Sequence, residues 1–244
     1  GTQVFKSTLG TGTSSQLATD NAAGIWFANG RLFISVANVL SEIAFAGTVA
    51  AVKTHQNTSF TWDTVVGAPN GIYVAGHSGD RSETYYIGID TTDGSLLDAV
   101  HAMPFPNGET INVLANYGSI VLIGSSKGFR VALIDSSNGL SHGPLVTITG
   151  GVNDIDIEGQ YAWFAWSGYD ATSTGLGRIN LAEFTEPLVP AYASDLMAAN
   201  TGNVLSVATF DDKRYFGVSG AGLYGQSTDL VASGEALSGW VRFS

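Results

Sequence analysis

The sequence predicts an all-β fold, a five-bladed β-propeller of four-stranded antiparallel blades with the chain ends close together. Three observations favour it. A two-strand pattern recurs about every 45 residues, as in propeller blades. Turn-forming residues are abundant, with 31 glycines among 244 residues. No segment has the sustained 3.6-residue apolar period of a helix. A β-sandwich also has short strands at regular spacing, but the internal repeat argues against it.

The repeat is a hairpin of two short apolar strands joined by a tight turn. The clearest copies cover residues 111–124, 152–165 and 202–217, and each opens with an asparagine, namely Asn112, Asn153 or Asn203. Two weaker copies, with turns at Asn29-Gly30 and Asn70-Gly71, cover residues 21–35 and 62–76. Asn-Gly between alternating apolar runs is a strong hairpin signal. Because asparagine has both donors and an acceptor, the three opening asparagines are predicted to tie neighbouring blades through side-chain to backbone hydrogen bonds.

A third and a fourth strand are expected after each hairpin. The predicted third strands are 42–47, 84–90, 129–135, 177–184 and 222–227. The predicted fourth strands are 48–52, 97–103, 144–149, 190–196 and 239–244. Five such blades use most of the chain, so a single domain over residues 1–244 is predicted. An extra strand within residues 2–9 is expected to pair with, or lie beside, residues 239–244, which would close the ring.

Charge and composition exclude several functions. The net charge is −11 and the ten lysines and arginines are scattered, which argues against nucleic acid and against an anionic membrane surface. There is no cysteine, so disulfides and thiolate metal sites are excluded. The sequence contains no run of about 18 apolar residues, so it predicts no membrane-spanning segment. A chain that begins at Gly1 without Met is expected to be trimmed or to be one piece of a longer polypeptide.

Three acids, Asp154, Asp156 and Glu158, alternate along one predicted first strand and therefore share a face. The aligned hairpins carry no acids there. A straight strand cannot wrap its own side chains around a cation, so we expect a channel-facing or solvated strip, with no metal and no cofactor; whether the strip binds an ion stays open. A glycosidase would need two carboxyls across a sugar site, for which Asp63 with Asp154 or Asp156 are the candidates.

No motif assigns a catalytic residue. The four histidines are isolated, so a zinc hydrolase lacks its ligand pattern. The chain has no G-x-S-x-G elbow for an esterase and no glycine-rich nucleotide loop.

Two predicted long loops, 77–85 and 167–175, are the candidate ligand-binding surface. Both join the second and third strands of their blades and should project from one face of a propeller. Exposed aromatic rings beside Asp, Ser or Thr suit sugars, because the ring stacks and the polar groups bind hydroxyls. The candidate ligand-binding residues are Trp166, Tyr169, Asp170, Asp80 and Arg81.

The C-terminal part of the chain carries two recognisable segments, "GLGRINLAEFTEPLVPAYASDLMA" (175–198) and "GLYGQSTDLVASGEALSGWVRFS" (222–244). With their GLGR strand, L-x-x-F step and closing SG-x-V-R-F strand, these segments resemble minor tail proteins of bacteriophages that infect actinobacteria. It implies a non-catalytic structural protein of the virion tail tip that acts outside the cell. The implied partners are other tail proteins and a host cell-surface glycan, and a homo-oligomer is allowed. A glycoside-active enzyme and a non-viral adhesion or scaffold propeller are the alternatives.

Overall fold

The computed structural model describes most of the chain. The described residues are 4–7, 14–18, 22–44, 48–134, 140–167, 174–196, 202–211, 213–227 and 241–243. Within them the chain forms 23 strands in antiparallel sheets and no helix, so the all-β prediction is confirmed. The described part therefore offers no helix that is long and apolar enough to cross a membrane.

The chain divides into two compact units. The first comprises residues 1–111 and 135–140, and the second comprises residues 112–134 and 141–244. The prediction of a single domain stays a prediction.

The first unit contains a two-stranded ribbon and two four-stranded sheets. The ribbon pairs β1 (Val4–Ser7) with β2 (Ser14–Ala18), so the extra strand predicted within residues 2–9 exists and its partner is β2. Its proximity to residues 239–244 stays a prediction. The first sheet has the order β3 (Gly24–Ala28), β4 (Arg31–Val36), β5 (Val39–Ile43) and β6 (Val49–Thr54). The second sheet has the order β7 (Thr61–Ala68), β8 (Gly71–Ser78), β9 (Arg81–Gly88) and β10 (Val100–Pro104).

Three further sheets follow, and they form most of the second unit. The third consists of β11 (Ile111–Tyr117), β12 (Ile120–Ser125), β13 (Gly128–Ile134) and β14 (Leu140–His142), with β15 (Val146–Thr147) also paired to β13. The fourth consists of β16 (Val152–Glu158), β17 (Tyr161–Ser167), β18 (Thr174–Glu186) and β19 (Val189–Leu196). The fifth consists of β20 (Val204–Phe210), β21 (Lys213–Val218), β22 (Gly222–Ser227) and β23 (Val241–Phe243).

The sequence predicts hairpin turns near Gly30, Asn70, Gly118, Gly159 and Asp212, and the first four lie between the first and second strands of their sheets. Asn29 and Gly30 have φ values of 49° and 76°, and Asn70 has 55°. Gly118 and Gly159 have 61° and 60°. Asparagine and glycine tolerate this left-handed region best, which is why the turns were visible in the sequence. The fifth predicted turn residue, Asp212, lies outside the described residues.

The third strand of the first sheet was predicted wrongly. It was expected at 42–47, whereas β5 covers Val39–Ile43. The chain reverses at Ala37 and Asn38, with Ala37 at a φ of 50°. Alanine rarely adopts that conformation, so the sequence carries only a weak turn signal there.

Apolar side chains fill the spaces between neighbouring sheets of each unit. In the first unit, Phe33 of β4 and Trp62 of β7 belong to one buried cluster. In the second unit, Phe129 of β13 packs with Phe164 of β17. A Cβ on Gly177 would lie 1.8 Å from the Phe164 ring, so only glycine fits at this point of β18. These cores hold adjacent sheets face to face and position the polar contacts between them.

Candidate functional site

Two of the acids of β16 bind backbone groups of the neighbouring strand β20. Asp154 Oδ2 accepts the N–H of Val207 at 3.0 Å. Asp156 Oδ2 accepts both the N–H of Thr209 at 2.5 Å and its hydroxyl at 2.7 Å. Both carboxylates therefore satisfy backbone donors of β20 that point away from β21, its partner strand in the fifth sheet.

The third acid of β16, Glu158, binds a buried arginine of β21. Arg214 Nη2 donates to Glu158 Oε2 at 2.5 Å, and Arg214 is only 4% exposed. Its guanidinium carbon lies 4.2 Å from the centroid of the Trp163 ring, within cation–π range. All three acids therefore have specific partners in the fifth sheet in addition to their partial exposure to solvent. That the strip faces a channel stays a prediction.

Burial raises the pKa of Asp154 above the usual range of an aspartate. The N–H groups of Val207 and Ile155 act in the opposite direction, and the nearby carboxylate of Asp156 adds to the rise. The net direction follows from desolvation, which penalises the charged form of a carboxyl group.

Asparagines tie neighbouring sheets as predicted. Asn112 Nδ2 donates to the carbonyl oxygen of Val152 at 2.8 Å, which joins β11 to β16. Asn153 Nδ2 donates to the carbonyl oxygen of Val204 at 2.8 Å, which joins β16 to β20. The prediction is thus confirmed for Asn112 and Asn153, and for Asn203 it stays a prediction.

Asp63, the first member of the predicted glycosidase pair, is bound to a histidine. It lies on β7, and its Oδ2 is 2.6 Å from His77 Nδ1 on β8. Burial raises the pKa of Asp63, although the hydrogen bond and the charge of His77 oppose the rise. Asp63 belongs to the first unit and Asp154 to the second, and each has its partners within its own unit. In the described residues, no group of three or more His, Asp or Glu side chains is placed to hold a metal ion.

Trp166, predicted to contribute to an exposed binding surface, is instead part of the core. It is the next to last residue of β17 and is 5% exposed. Its indole N–H donates to the carbonyl oxygen of Leu176 at 3.1 Å. The face of this ring is therefore packed against protein and is not offered to a ligand. Its predicted neighbours, Tyr169 and Asp170, lie outside the described residues.

The other predicted loop, 77–85, does not exist as a long loop. Strands β8 and β9 pair as far as Ser78 and Arg81, which leaves only Gly79 and Asp80 in the turn. Gly79 has a φ of 62°, and its missing side chain permits this tight reversal. Asp80 and Arg81 are both exposed at the tip of the hairpin. Their role as ligand-binding residues stays a prediction.

A pocket that the sequence did not reveal lies between the first and second sheets of the first unit. It has a volume of about 360 Å³, and we call it the His55 pocket; its lining residues are Lys53, Thr54, His55, Gln56, Glu83 and Tyr85. Glu83 Oε2 accepts the hydroxyl of Tyr85 at 2.6 Å and lies 3.3 Å from His55 Nε2. One carboxylate therefore holds an aromatic side chain from each of two segments.

Aromatic packing fixes the wall of the His55 pocket. The His55 ring stacks on Phe60 at a centroid distance of 3.8 Å and an interplanar angle of 12°. It makes T-shaped contacts with Trp62 and Tyr85. Burial raises the pKa of Tyr85 far above its usual range, and the Glu83 carboxylate adds to the rise, so this hydroxyl keeps its proton and remains a donor. The alternation of Glu83 and Tyr85 along β9 was the available sequence signal, but nothing in it points to His55.

Comparison with known proteins supports the fold alone. No protein-family model matches the chain, and no curated protein matches its sequence. Virginiamycin B lyase from Staphylococcus aureus is similar with a TM-score of 0.62 at 12% identity, over 92% of this chain and 77% of that one. The PQQ-bound aldose sugar dehydrogenase from Streptomyces coelicolor is similar with a TM-score of 0.55 at 11% identity, over 86% and 78%.

The computationally designed Ika8 protein is also similar, with a TM-score of 0.60 at 10% identity. The match covers 88% of this chain but only 62% of Ika8, so this chain spans less than two thirds of that protein. Identities this low carry no information about activity. The class that the fold defines is an all-β, propeller-like protein.

Proposed function

We propose that this chain is a five-bladed β-propeller of a phage tail tip, a non-catalytic virion protein for assembly and host-surface binding. The blade arrangement is supported by the five successive antiparallel sheets and by the similarity of the chain to propeller-like solved structures. The likeness of residues 175–198 and 222–244 to actinobacteriophage minor tail proteins supports the setting.

One observation carries the structural role, namely the use of all three β16 acids in contacts with the fifth sheet. Asp154 and Asp156 accept backbone N–H groups, and Glu158 binds the buried guanidinium of Arg214. A carboxylate committed in this way is a poor general acid or nucleophile, because reaction with a substrate would cost it these partners. The same contacts suit a protein that must keep its sheets together outside the cell.

The closed ring has its own test. A closed propeller brings the two chain ends together, so donor and acceptor dyes attached at the ends of the full chain should show efficient energy transfer. Unfolding in urea should abolish the transfer. Weak transfer in the folded chain would contradict the closed ring without affecting the sheets already described.

The tail role is tested on virions. Antibodies against the chain should label the tail tip of the phage that encodes it in immuno-electron microscopy, and mass spectrometry should find the chain in purified particles. Fluorescent full-length protein should also sediment with actinobacterial host cells. Absence of the chain from purified particles would overturn the proposal.

The glycoside-active alternative has one observation in its favour. The carboxyl of Asp63 has a raised pKa and a histidine partner, as a general acid often does. Hydrolysis of a panel of aryl glycosides that is abolished in Asp63→Asn, while the variant still folds, would support the enzyme. We expect no hydrolysis above that of the buffer.

A further inference from the structure

We propose that the His55 pocket binds one uncharged sugar residue through Glu83, Lys53 and Gln56. The proposal deepens the host-surface part of the proposed function and rests on it only for the origin of the sugar. It needs only residues of the first unit.

The size of the pocket sets the scale of the ligand. At about 360 Å³ it lies at the lower end of the range of roughly 300–1,000 Å³ that small-molecule sites occupy. It suits one small ring rather than a long chain. Because the pocket is open to solvent, a terminal sugar residue of a longer glycan can enter it.

The charges that line the pocket select an uncharged, hydroxyl-rich ligand. Lys53 and Glu83 contribute one positive and one negative charge, which balance each other. The chain as a whole carries a net charge of −11, which disfavours an anionic ligand. Thr54 and Gln56 add groups that both donate and accept hydrogen bonds. Sugar hydroxyls also donate and accept, so they match this mixture.

The central acceptor of the pocket is held in place before a ligand arrives. The hydroxyl of Tyr85 donates to Glu83 at 2.6 Å, and the His55 ring is clamped by its stacking on Phe60. The Glu83 side chain keeps 31% of its surface exposed, so part of it faces the solvent-filled pocket. A carboxylate held in a fixed position beside an aromatic wall can bind a sugar hydroxyl with little loss of side-chain entropy.

The test is titration of the full chain with glucose, galactose, mannose, arabinose and N-acetylglucosamine, with binding measured by saturation-transfer NMR and calorimetry. We expect at least one of them to bind at one site with a Kd of about 1 mM, a modest affinity suited to a few polar contacts. Glu83→Gln should weaken that binding about tenfold or more, because a charged acceptor becomes a neutral one. Gln56→Ala, at an exposed position that does not support the core, should weaken it about threefold.

The matched control is Glu186→Gln, which removes the same charge from an exposed position of β18 and should leave binding unchanged. Circular dichroism checks that each variant folds. Binding of none of the five sugars at about 50 mM, well above the expected Kd, overturns the proposal. So does binding that both pocket variants leave intact. Neither result affects the tail role, which the virion experiment tests separately. If the chain binds a sugar but is absent from virions, only the tail role is contradicted.

Discussion

Asp156 on β16 and Thr209 on β20 are joined by two hydrogen bonds that converge on one carboxylate oxygen. The backbone nitrogen of Thr209 lies 2.5 Å and its hydroxyl oxygen 2.7 Å from Asp156 Oδ2. The two residues are 53 positions apart in the chain. A single side chain of the fourth sheet thus anchors the first strand of the fifth.

Replacement of Asp156 by alanine should destabilise the fold. The change leaves two half-buried donors of Thr209 without their acceptor, so the free energy of unfolding should fall by about 1–3 kcal/mol in urea denaturation. The exposed Asp98 provides the control, since Asp98→Ala should stay within about 0.5 kcal/mol of wild type. Equal effects of the two substitutions would remove the anchoring role.

The asparagine tie between the fourth and fifth sheets predicts a ranking of two variants. Asn153→Ala loses the bonds to the Val204 carbonyl and the Ser167 hydroxyl, and should cost about 1–2 kcal/mol. Asn153→Asp keeps the shape but places a carboxylate against the Val204 carbonyl oxygen, so it should cost more than alanine. Thermal unfolding measures both, and a milder effect of aspartate would contradict the donor role.

The ion pair of Glu158 and Arg214 should respond unequally to loss of either partner. The Arg214 side chain is 5% exposed, so Glu158→Ala removes the carboxylate from a guanidinium that water hardly reaches. Arg214→Met keeps the apolar stem against Trp163 and leaves Glu158, which water can hydrate. We therefore expect Glu158→Ala to destabilise the chain by about 2 kcal/mol or more and Arg214→Met to cost less. The reverse order in denaturant melts would refute this assignment.

The raised pKa of Asp154 predicts a pH dependence. The unfolded chain has the ordinary value of about 3.9, and the native state holds the proton more tightly. Between the two pKa values the native state binds more protons, so this group's contribution to stability falls as pH rises, and it is level above the folded-state pKa.

Asp154→Asn lacks this titration, and its amide oxygen can still accept the N–H of Val207. The free energy of unfolding of Asp154→Asn, relative to that of wild type, should therefore increase as pH rises from about 3 to about 7. Urea melts across this interval measure the difference. Parallel stability profiles for the two proteins would show that Asp154 titrates alike in the folded and unfolded states.

Trp166 is predicted to stabilise the fold as a buried residue of the core. Trp166→Ala should lower the free energy of unfolding by about 3–5 kcal/mol, because it empties a buried site. Trp166→Phe keeps most of the ring but loses the bond to the Leu176 carbonyl, so it should cost clearly less. Loss of host adsorption in the alanine variant would therefore report unfolding. Stability of Trp166→Ala within about 1 kcal/mol of wild type would contradict the core assignment.

Local chemistry was enough to predict most of the strands, four hairpin turns and one kind of contact between sheets. Asn29, Gly30 and Asn70 mark turns because few other residues accept a positive φ at low cost. Alternating apolar residues mark the strands because successive side chains point to opposite faces. The repeated asparagine marks the tie from Asn153 to Val204, because the same polar group recurs at the start of the three clearest hairpins.

Contacts between distant segments were decided by the tertiary structure. The sequence pattern of three acids on one face of β16 is the same whether the acids contact water, a metal or a backbone N–H. Only the packing of β20 against β16 brings Val207 and Thr209 to these acids. The His55 pocket likewise joins Glu83 to a histidine 28 positions earlier. Strand patterns are local and therefore visible in sequence, whereas the partner of a side chain depends on how twisted sheets stack, a property that no short stretch of sequence contains.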